Sequence, residues 1–219
     1  MKCFNYNDQQ IIPAGIGFAT AGIINHWEKL DDNQRKNYVI TLAKSSDRAI
    51  CLASNMLDLA YINSEDFVME SRLTDLGHLI SEKCFEYNSI FKAADNVKIT
   101  CGIDGEVVAI CNSYYIRRIL DNLLSEILDN LRNVTIEVIL GSFKKEFYEF
   151  ADVKLFLKSK DPKETQDLVI ILNKIVDVDL KSEIRNQLIE TIVEMHKGKI
   201  LTKLQNNLGF INLTIPTQC

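Results

Sequence analysis

The feature of the sequence that most constrains its fold is a pair of apolar stripes within residues 8–62. Both stripes repeat at alternating steps of three and four residues, the spacing at which one side of an α-helix faces a neighbouring helix. The members of the two stripes are Ile12, Ile16, Ala19, Ile23, Trp27 and Leu30, and then Tyr38, Leu42, Ser45, Ala49, Leu52, Met56 and Leu59. The polar residues 31–33 between them can cap a second helix. The pattern predicts an antiparallel hairpin of two long helices, at about 8–30 and 33–62.

A single hairpin of this kind leaves one side of each apolar stripe in contact with water. Pairing of two copies into a four-helix bundle would bury both stripes. Glycines at positions 15, 17 and 22 weaken the first helix, each by about 1 kcal/mol relative to alanine, so that helix depends on tertiary packing. The sequence therefore predicts a homodimer held together by the hairpin.

Beyond a polar linker at residues 63–71, the sequence changes to shorter segments. Amphipathic helices are predicted at about 73–94, 113–130 and 181–196. Strands are predicted at 97–101, 107–111, 134–140, 149–157, 199–203 and 209–215. Helices that alternate with antiparallel strands indicate an α/β two-layer sandwich. The predicted fold class is therefore α+β, with the helical hairpin in residues 1–65 and the sandwich in residues 66–219.

Composition places this chain of 219 residues among ordinary folded proteins and excludes several partners. The formal net charge is −5 and the basic residues are scattered, so we expect no nucleic-acid partner. No apolar run is long enough to cross a membrane, and the N-terminus lacks the order of a signal peptide. The six cysteines form no CxxC pair and no cluster with histidine, which predicts reduced thiols and no metal site. We therefore expect a cytoplasmic protein.

Four strings of the sequence resemble the catalytic core of bacterial histidine kinases. These strings are SSDRAICLASNMLDLAYINSEDF (45–67), CNSYYIRRILDNLLSEILDN (111–130), IETIVEMHKGKI (189–200) and LGFINLTIP (208–216). In that order they resemble the second dimerisation helix, the N box of the GHKL-type ATPase superfamily, the helix-to-strand passage after the ATP lid, and the final strand. The resemblance implies a dimerisation hairpin followed by an ATPase-like domain, with a role in two-component signalling.

The phosphoacceptor of such kinases is missing from this chain. The family carries His-Glu/Asp-x-x-x-Pro near the start of the first helix, where a neutral imidazole takes the phosphoryl group. Pro13 fits the proline of that motif, but Asp8 occupies the histidine position and no histidine precedes His26. The resemblance thus implies a degenerate phosphoacceptor position at Asp8. A simpler interpretation of Asp8 is an N-cap of the first helix.

The nucleotide-binding residues of the family are also missing. The N box normally offers two asparagines one helical turn apart, the second of which holds Mg²⁺, whereas this chain has Asn122 and Glu126. The Asp-x-Gly-x-Gly box is replaced by KSKDPKET (158–165), and the lid stretch DVDLKSEIRNQ (177–187) contains no glycine that would let the backbone approach phosphates. Asn122 and Glu126 are therefore either a remnant box or simply the polar side of a helix. We expect no nucleotide cofactor.

These departures favour a binding module over an enzyme. Histidine phosphotransferases of the ChpT-like kind resemble this chain in their N-terminal dimerisation helices, degenerate ATPase-like domain and receiver-domain partners, although they keep the histidine. We interpret the chain as a pseudo-histidine kinase that binds a response regulator receiver domain or a sensor kinase without binding ATP. Two alternatives stay open. One is an active phosphotransferase that uses His26 or an acyl phosphate on Asp8, and the other is a kinase-derived scaffold with an unrelated protein partner.

The predicted docking surface lies near the start of the first helix. In kinases of this architecture the receiver domain docks on the upper part of the hairpin, beside the phosphoacceptor. The residues expected there are Asp8, Gln9 and Ile11 from the first helix and Asn55, Asp58 and Tyr61 from the second. Ile11 and Tyr61 would supply apolar contact and the others a polar rim, as in ordinary transient interfaces.

Overall fold

The computed structural model describes residues 6–91, 97–131, 133–159, 168–172, 184–205 and 208–218, with the side chains of the first helix described from residue 16 onward. The chain divides into two compact units. Unit 1 comprises Met1–Phe67 with Lys181–Gln187, and unit 2 comprises Val68–Leu180 with Leu188–Cys219. The α+β class predicted from the sequence is confirmed, because a helical unit precedes a unit built on a β-sheet. Among the described helices, none combines the length and the apolar character that a membrane crossing requires.

Unit 1 is dominated by the two helices α1 (Tyr6–His26) and α2 (Asp32–Ile62), which pack against each other. Gly22 of α1 faces Tyr38 of α2. A β-carbon at Gly22 would lie 2.5 Å from Cε1 of Tyr38, so a larger residue there would force the tyrosine ring to move. The two long helices at these positions agree with the hairpin that the apolar stripes predict.

The turn between α1 and α2 is held by polar contacts. Asp31 and Gln34 form a capping box, in which Oδ1 of Asp31 accepts from the Gln34 N–H at 2.8 Å and Oε1 of Gln34 accepts from the Asp31 N–H at 3.1 Å. Arg35 donates from Nε and Nη2 to the carbonyl oxygen of Trp27, at 3.1 and 3.0 Å. Its guanidinium also lies 4.9 Å from the centre of the Trp27 ring.

The position of Trp27 corrects the predicted apolar stripe. The α-helix ends at His26 and a 3₁₀ turn, Trp27–Lys29, follows it. The change of helical pitch takes the indole off the line of the stripe, and Trp27 is 44% exposed beneath the Arg35 guanidinium. Trp27 therefore belongs to the turn and not to the seam between the helices.

Unit 2 contains a small and a large β-sheet. The small sheet pairs β1 (Arg72–Asp75) with β3 (Val108–Cys111) in antiparallel orientation. The large sheet has the strand order β2-β4-β5-β7-β6 and consists of β2 (Lys98–Ile103), β4 (Val134–Lys145), β5 (Tyr148–Ser159), β7 (Leu208–Pro216) and β6 (Lys199–Gln205). One feature differs from the sequence prediction, which was of antiparallel strands: β2 pairs with β4 in parallel orientation. The runs at 97–101 and 107–111 belong to different sheets.

The helices of unit 2 include α3 (Leu76–Phe91), α4 (Ser113–Asn130) and the greater part of α5 (Ile184–Met195); residues 168–172 are also helical. α4 occupies the predicted positions, because the side chain of Asn112 caps it by accepting from the Tyr115 N–H at 3.2 Å. α3 begins later than predicted, since the residues before it form β1.

The two faces of the large sheet differ in character. The inner face is apolar and buried, with side chains that include Ile136, Val138, Leu140, Val153, Leu155, Leu157, Ile211, Leu213 and Ile215. Helical residues lie on this face, since a β-carbon at Gly209 would be 3.2 Å from Cδ1 of Leu172. α3 is joined to the neighbouring edge strand, where Oδ1 of Asn88 accepts from the Ile99 N–H at 3.0 Å. The intervening residues of the same strands form the opposite, outer face.

His196, which follows α5, is a buried structural histidine. Its Nε2 accepts from the backbone N–H of Asn112 at 3.1 Å, so its proton resides on Nδ1, which donates to the Ile192 carbonyl at 2.8 Å. Burial lowers the pKa of the imidazole, and the hydrogen bond to Ile192 offsets this only in part. His196 is therefore neutral and joins the end of α5 to the residue that caps α4.

This burial predicts a specific pH dependence of stability. Because the folded-state pKa of His196 lies below its unfolded value of about 6.5, the unfolded chain binds a proton that the folded chain does not. We predict that the free energy of unfolding falls by up to about 1.4 kcal/mol per pH unit below about pH 6.5. Urea unfolding of wild type, His196→Gln and, as an exposed control, His78→Gln measures it. An equal fall in His196→Gln and wild type would contradict the assignment.

Candidate functional site

Asn122 and Glu126, the positions at which the sequence resembles the N box, lie on α4 as their spacing predicts. Asn122 is 1% exposed and Glu126 is 8% exposed, so both are buried one turn apart. The Asn122 amide donates to the Arg118 carbonyl at 2.8 Å. Nδ2 of Asn130 donates to Oε1 of Glu126 at 3.1 Å and to its carbonyl oxygen at 2.8 Å. These side chains hydrogen-bond within their own helix. Glu126 stands at the place of a Mg²⁺ ligand, and a carboxylate can itself bind Mg²⁺, so the change at this position does not by itself remove the metal site.

α4 is also tied to α3 by an ionic network. Nζ of Lys83 lies 2.9 Å from carboxylate oxygens of both Glu86 and Asp121. Burial by itself lowers the pKa of Lys83, but its hydrogen bonds to Asp121 and Glu86 outweigh that effect and the pKa is raised. The phenol of Tyr87 lies 3.2 Å from Oγ of Ser125, and burial raises its pKa. Lys83 therefore neutralises carboxylates between two helices.

The two glycine-free stretches, at 158–165 and 177–187, fall largely outside the described residues. Of the regions that the resemblance assigns to nucleotide binding, the structure therefore describes mainly α4. Among the described residues, no group of three or more histidine, cysteine, aspartate or glutamate side chains is placed to hold a metal ion. Of the positions at which the family binds nucleotide and Mg²⁺, the structure thus describes Asn122 and Glu126.

The first-helix residues of the predicted docking surface lie in the opening turns of α1. α1 begins at Tyr6, so Asp8 stands inside the helix and is not its N-cap, which corrects the simpler interpretation of that residue. Gln9 and Ile11 follow in the next turn, and the side chains of all three lie outside the described residues. An acidic residue in the first turn of a helix is favoured by the helix dipole.

The second-helix residues of the same surface have different environments. Asn55 is 1% exposed, so it does not belong to an exposed docking surface, which corrects the prediction. Its position three residues after Leu52 and four before Leu59 was the signal of an inward orientation. Asp58 is half-buried, and Tyr61 is 55% exposed with its ring edge-to-face against Phe67 at 5.4 Å. Tyr61 is the apolar residue of this surface that the structure shows to be accessible.

The hairpin also exposes large apolar side chains outside the predicted stripes. They include Phe18, Ile24, Val39, Ile50 and Leu57, of which Ile24 and Leu57 are 73% and 71% exposed. The sequence did not predict these side chains as an apolar surface, because only the residues of the two apolar stripes were considered. Ile50 and Leu57 are seven residues apart and therefore lie on one side of α2. Unit 1 thus presents an apolar surface of its own.

His26 is the last residue of α1 and its side chain is exposed. It lies beside the 3₁₀ turn, at the end of the hairpin opposite to Asp8 and Tyr61. The structure therefore does not bring His26 together with the predicted docking surface. It would have to act as a separate site if it took part in phosphotransfer.

No protein-family model and no curated protein matches the sequence. Solved structures do match it. The histidine kinase AdeS of Acinetobacter baumannii matches 98% of this chain and 99% of that chain, with a TM-score of 0.67 at 12% identity. The histidine kinase ThkA, in complex with the response regulator protein TrrA, matches 96% of this chain and 60% of that chain, with a TM-score of 0.65 at 19% identity.

The second unit matches on its own as well. The nucleotide-free catalytic domain of ThkA matches 68% of this chain and 99% of that chain, with a TM-score of 0.53 at 16% identity. At these identities the likeness establishes the fold, and the matches to AdeS and to ThkA with TrrA extend over both units. The chain has the fold of a histidine kinase core, in which a helical hairpin is followed by an α/β domain.

Proposed function

We propose that this chain is a two-component signalling protein that acts as a pseudo-histidine kinase. It forms a homodimer through its hairpin and binds a response regulator receiver domain, or a partner kinase, without binding ATP. One observation carries the proposal. The fold of a histidine kinase core extends over 98% of the chain, whereas Asp8 stands where the resemblance expects the phosphoacceptor and the stretches 158–165 and 177–187 contain no glycine. A protein that keeps the fold of a kinase core but lacks its reactive groups is suited to binding a partner without transferring phosphate.

The exposed apolar side chains of unit 1 support the homodimer. Monomeric proteins rarely leave a contiguous apolar surface in water, and a second hairpin would cover this one. Ile50 and Leu57 are the best reporters, because they are 65% and 71% exposed and so contribute little to the fold of a single chain. Replacing them tests the association of two chains separately from the folding of each chain.

We predict that the wild-type protein has a mass of about twice 25.0 kDa by multi-angle light scattering at micromolar concentration. The double variant Ile50→Asp with Leu57→Asp should have the mass of a single chain with an unchanged helical circular dichroism signal, because buried unpaired carboxylates oppose association. Val68→Asp replaces an equally exposed apolar residue outside the hairpin and should remain dimeric. A monomeric wild type, or a dimeric double variant, would refute the proposed interface.

The receiver-binding part of the proposal rests on the geometry of the hairpin. ThkA was solved in complex with the response regulator protein TrrA, and this chain matches 60% of the length of that kinase chain. Tyr61 supplies an accessible aromatic group near the end of α2, and the opening turn of α1 carries Asp8. A carboxylate at position 8 cannot form a stable phosphoryl adduct, since an acyl phosphate hydrolyses readily. We infer that the surface docks a receiver domain without carrying phosphate.

We predict that this surface binds a receiver domain from the native genome with modest affinity, measured by biolayer interferometry across all receiver domains of that genome. Tyr61→Asp should abolish binding, because it places a charge in the apolar centre of the contact. Phe147→Asp is the matched control, since Phe147 is 99% exposed at the β4–β5 turn and should leave binding unchanged.

Asp8→His provides the second half of the same test. A receiver domain phosphorylated with ³²P should label Asp8→His but not wild type, since a neutral imidazole restores the nucleophile. If neither protein bound any receiver domain, the two-component function would be wrong. Wild-type labelling that is lost in His26→Gln, or that hydroxylamine removes, would instead establish the alternative of an active phosphotransferase through His26 or Asp8. Binding of an unrelated protein alone would favour the scaffold.

A further inference from the structure

The outer face of the large sheet is an accessible surface with a mixed aromatic and basic character. It is defined by the strand residues that alternate with the buried inner-face residues, and its large side chains are Ile139, Phe143, Phe150, Lys154, Phe156, Leu201, Leu208 and Phe210. Leu201 is 52% exposed and Phe143 is 41% exposed. Phe156 packs against Phe210 with ring centres 5.2 Å apart, and Phe143 stacks on Phe150 at 5.4 Å. Exposed aromatic and aliphatic groups across several strands are typical of interaction surfaces.

The charge of the outer face is opposite to that of the whole chain. The formal net charge of the chain is −5. On the outer face, however, the carboxylates of Glu137 and Asp152 are outnumbered by the lysines of the five strands. These lysines are Lys98, Lys145, Lys154, Lys158, Lys199 and Lys203. The positive groups lie on both edge strands and on the central strand, so they surround the aromatic side chains.

The centre of the outer face contains hydrogen-bond acceptors that lack partners. Asp152 is 8% exposed although it lies on the accessible side of the sheet, and its Oδ2 is 2.6 Å from Nζ of Lys154. Its other oxygen, Oδ1, has no hydrogen-bond partner among the described residues, and the same holds for Oδ1 of Asn212. Asn212 is opposite Lys154 on β7, so both acceptors lie in one small area. Both oxygens are themselves almost inaccessible, so the groups of this face that a partner can reach are the lysines and the apolar side chains around them.

We propose that the outer face is a docking surface for an acidic protein partner. Carboxylates of the partner would pair with the lysines at the rim, and its apolar side chains would pack on the phenylalanine pairs. This surface belongs to unit 2, and the proposal depends neither on the hairpin nor on phosphotransfer.

Two other occupants fit the same observations less well. A second copy of this chain would place one lysine-rich face against another, which electrostatic repulsion opposes. Single-stranded nucleic acid is bound through open aromatic faces on which bases stack. Here Phe143 and Phe150 stack on each other with an angle of 16° between their planes, so the facing sides of these two rings are closed to a base. The partner whose charge complements this lysine-rich surface is therefore an acidic protein.

Selection from a random peptide library displayed on phage, with the full chain immobilised, tests the proposal. The selected peptides are then synthesised and their affinity is measured by fluorescence anisotropy. We expect peptides rich in aspartate, glutamate and aromatic residues. Their affinity should weaken about tenfold or more in the double variant Lys158→Glu with Lys203→Glu, since two attractive pairs become repulsive. The double variant Lys36→Glu with Lys44→Glu makes the same change of charge on exposed positions of α2 and should bind as wild type does.

Four results would overturn the proposal. Selected peptides that are neutral or basic would show the wrong chemistry. Affinity that is equal in the two double variants would place the binding elsewhere. An oligothymidine that binds more tightly than the peptides, and is lost in Lys158→Glu with Lys203→Glu, would identify a nucleic-acid surface. An increase in oligomer mass of wild type that the same variant abolishes would identify a second copy as the occupant.

Discussion

Burial of apolar side chains on the inner face of the large sheet and on the helices of unit 2 is the interaction on which that unit depends. Ile119, Leu123 and Ile127 of α4 have no exposed surface, and neither do Ile136, Leu140, Leu155 and Leu157 of the sheet. Replacing one such leucine by alanine costs about 2–5 kcal/mol, a large share of the roughly 5–15 kcal/mol that stabilises a typical domain. The core alone therefore maintains the positions of α4 and the strands, whether or not a ligand binds.

Under the proposed function, such a core lets a kinase-like fold persist without kinase chemistry. Of the residues at which the sequence resembles a nucleotide site, Asn122 and Glu126 are buried on α4 beside this core. Asn122 and Glu126 make hydrogen bonds within their own helix, to Arg118 and from Asn130. Both the hairpin of unit 1 and the outer face of unit 2 expose apolar groups of the kind that binding requires.

The sequence predicts the elements whose signal is local and misses those that depend on distant partners. α4 was predicted at 113–130 because its apolar period is strong and Asn112 caps it. The strand Arg72–Asp75 was missed, since its side chains are mostly exposed and it exists through pairing with β3, far along the chain. At the site, the spacing of Asn122 and Glu126 was evident from the sequence. The burial of Asn55 and the unpaired acceptor of Asp152 depend on neighbours that no local pattern specifies.

The measurement that tests the central claim most directly is a titration of the full chain with ATP and Mg²⁺, followed by thermal unfolding. Saturating nucleotide at 100 times its dissociation constant would add about 2.7 kcal/mol to the free energy of unfolding, which a melting curve detects. A kinase-like fold without nucleotide chemistry predicts no change in melting temperature at millimolar ATP. A rise that saturates with ATP, and that is lost in Asn122→Ala, would contradict the account and show that the pocket still binds nucleotide.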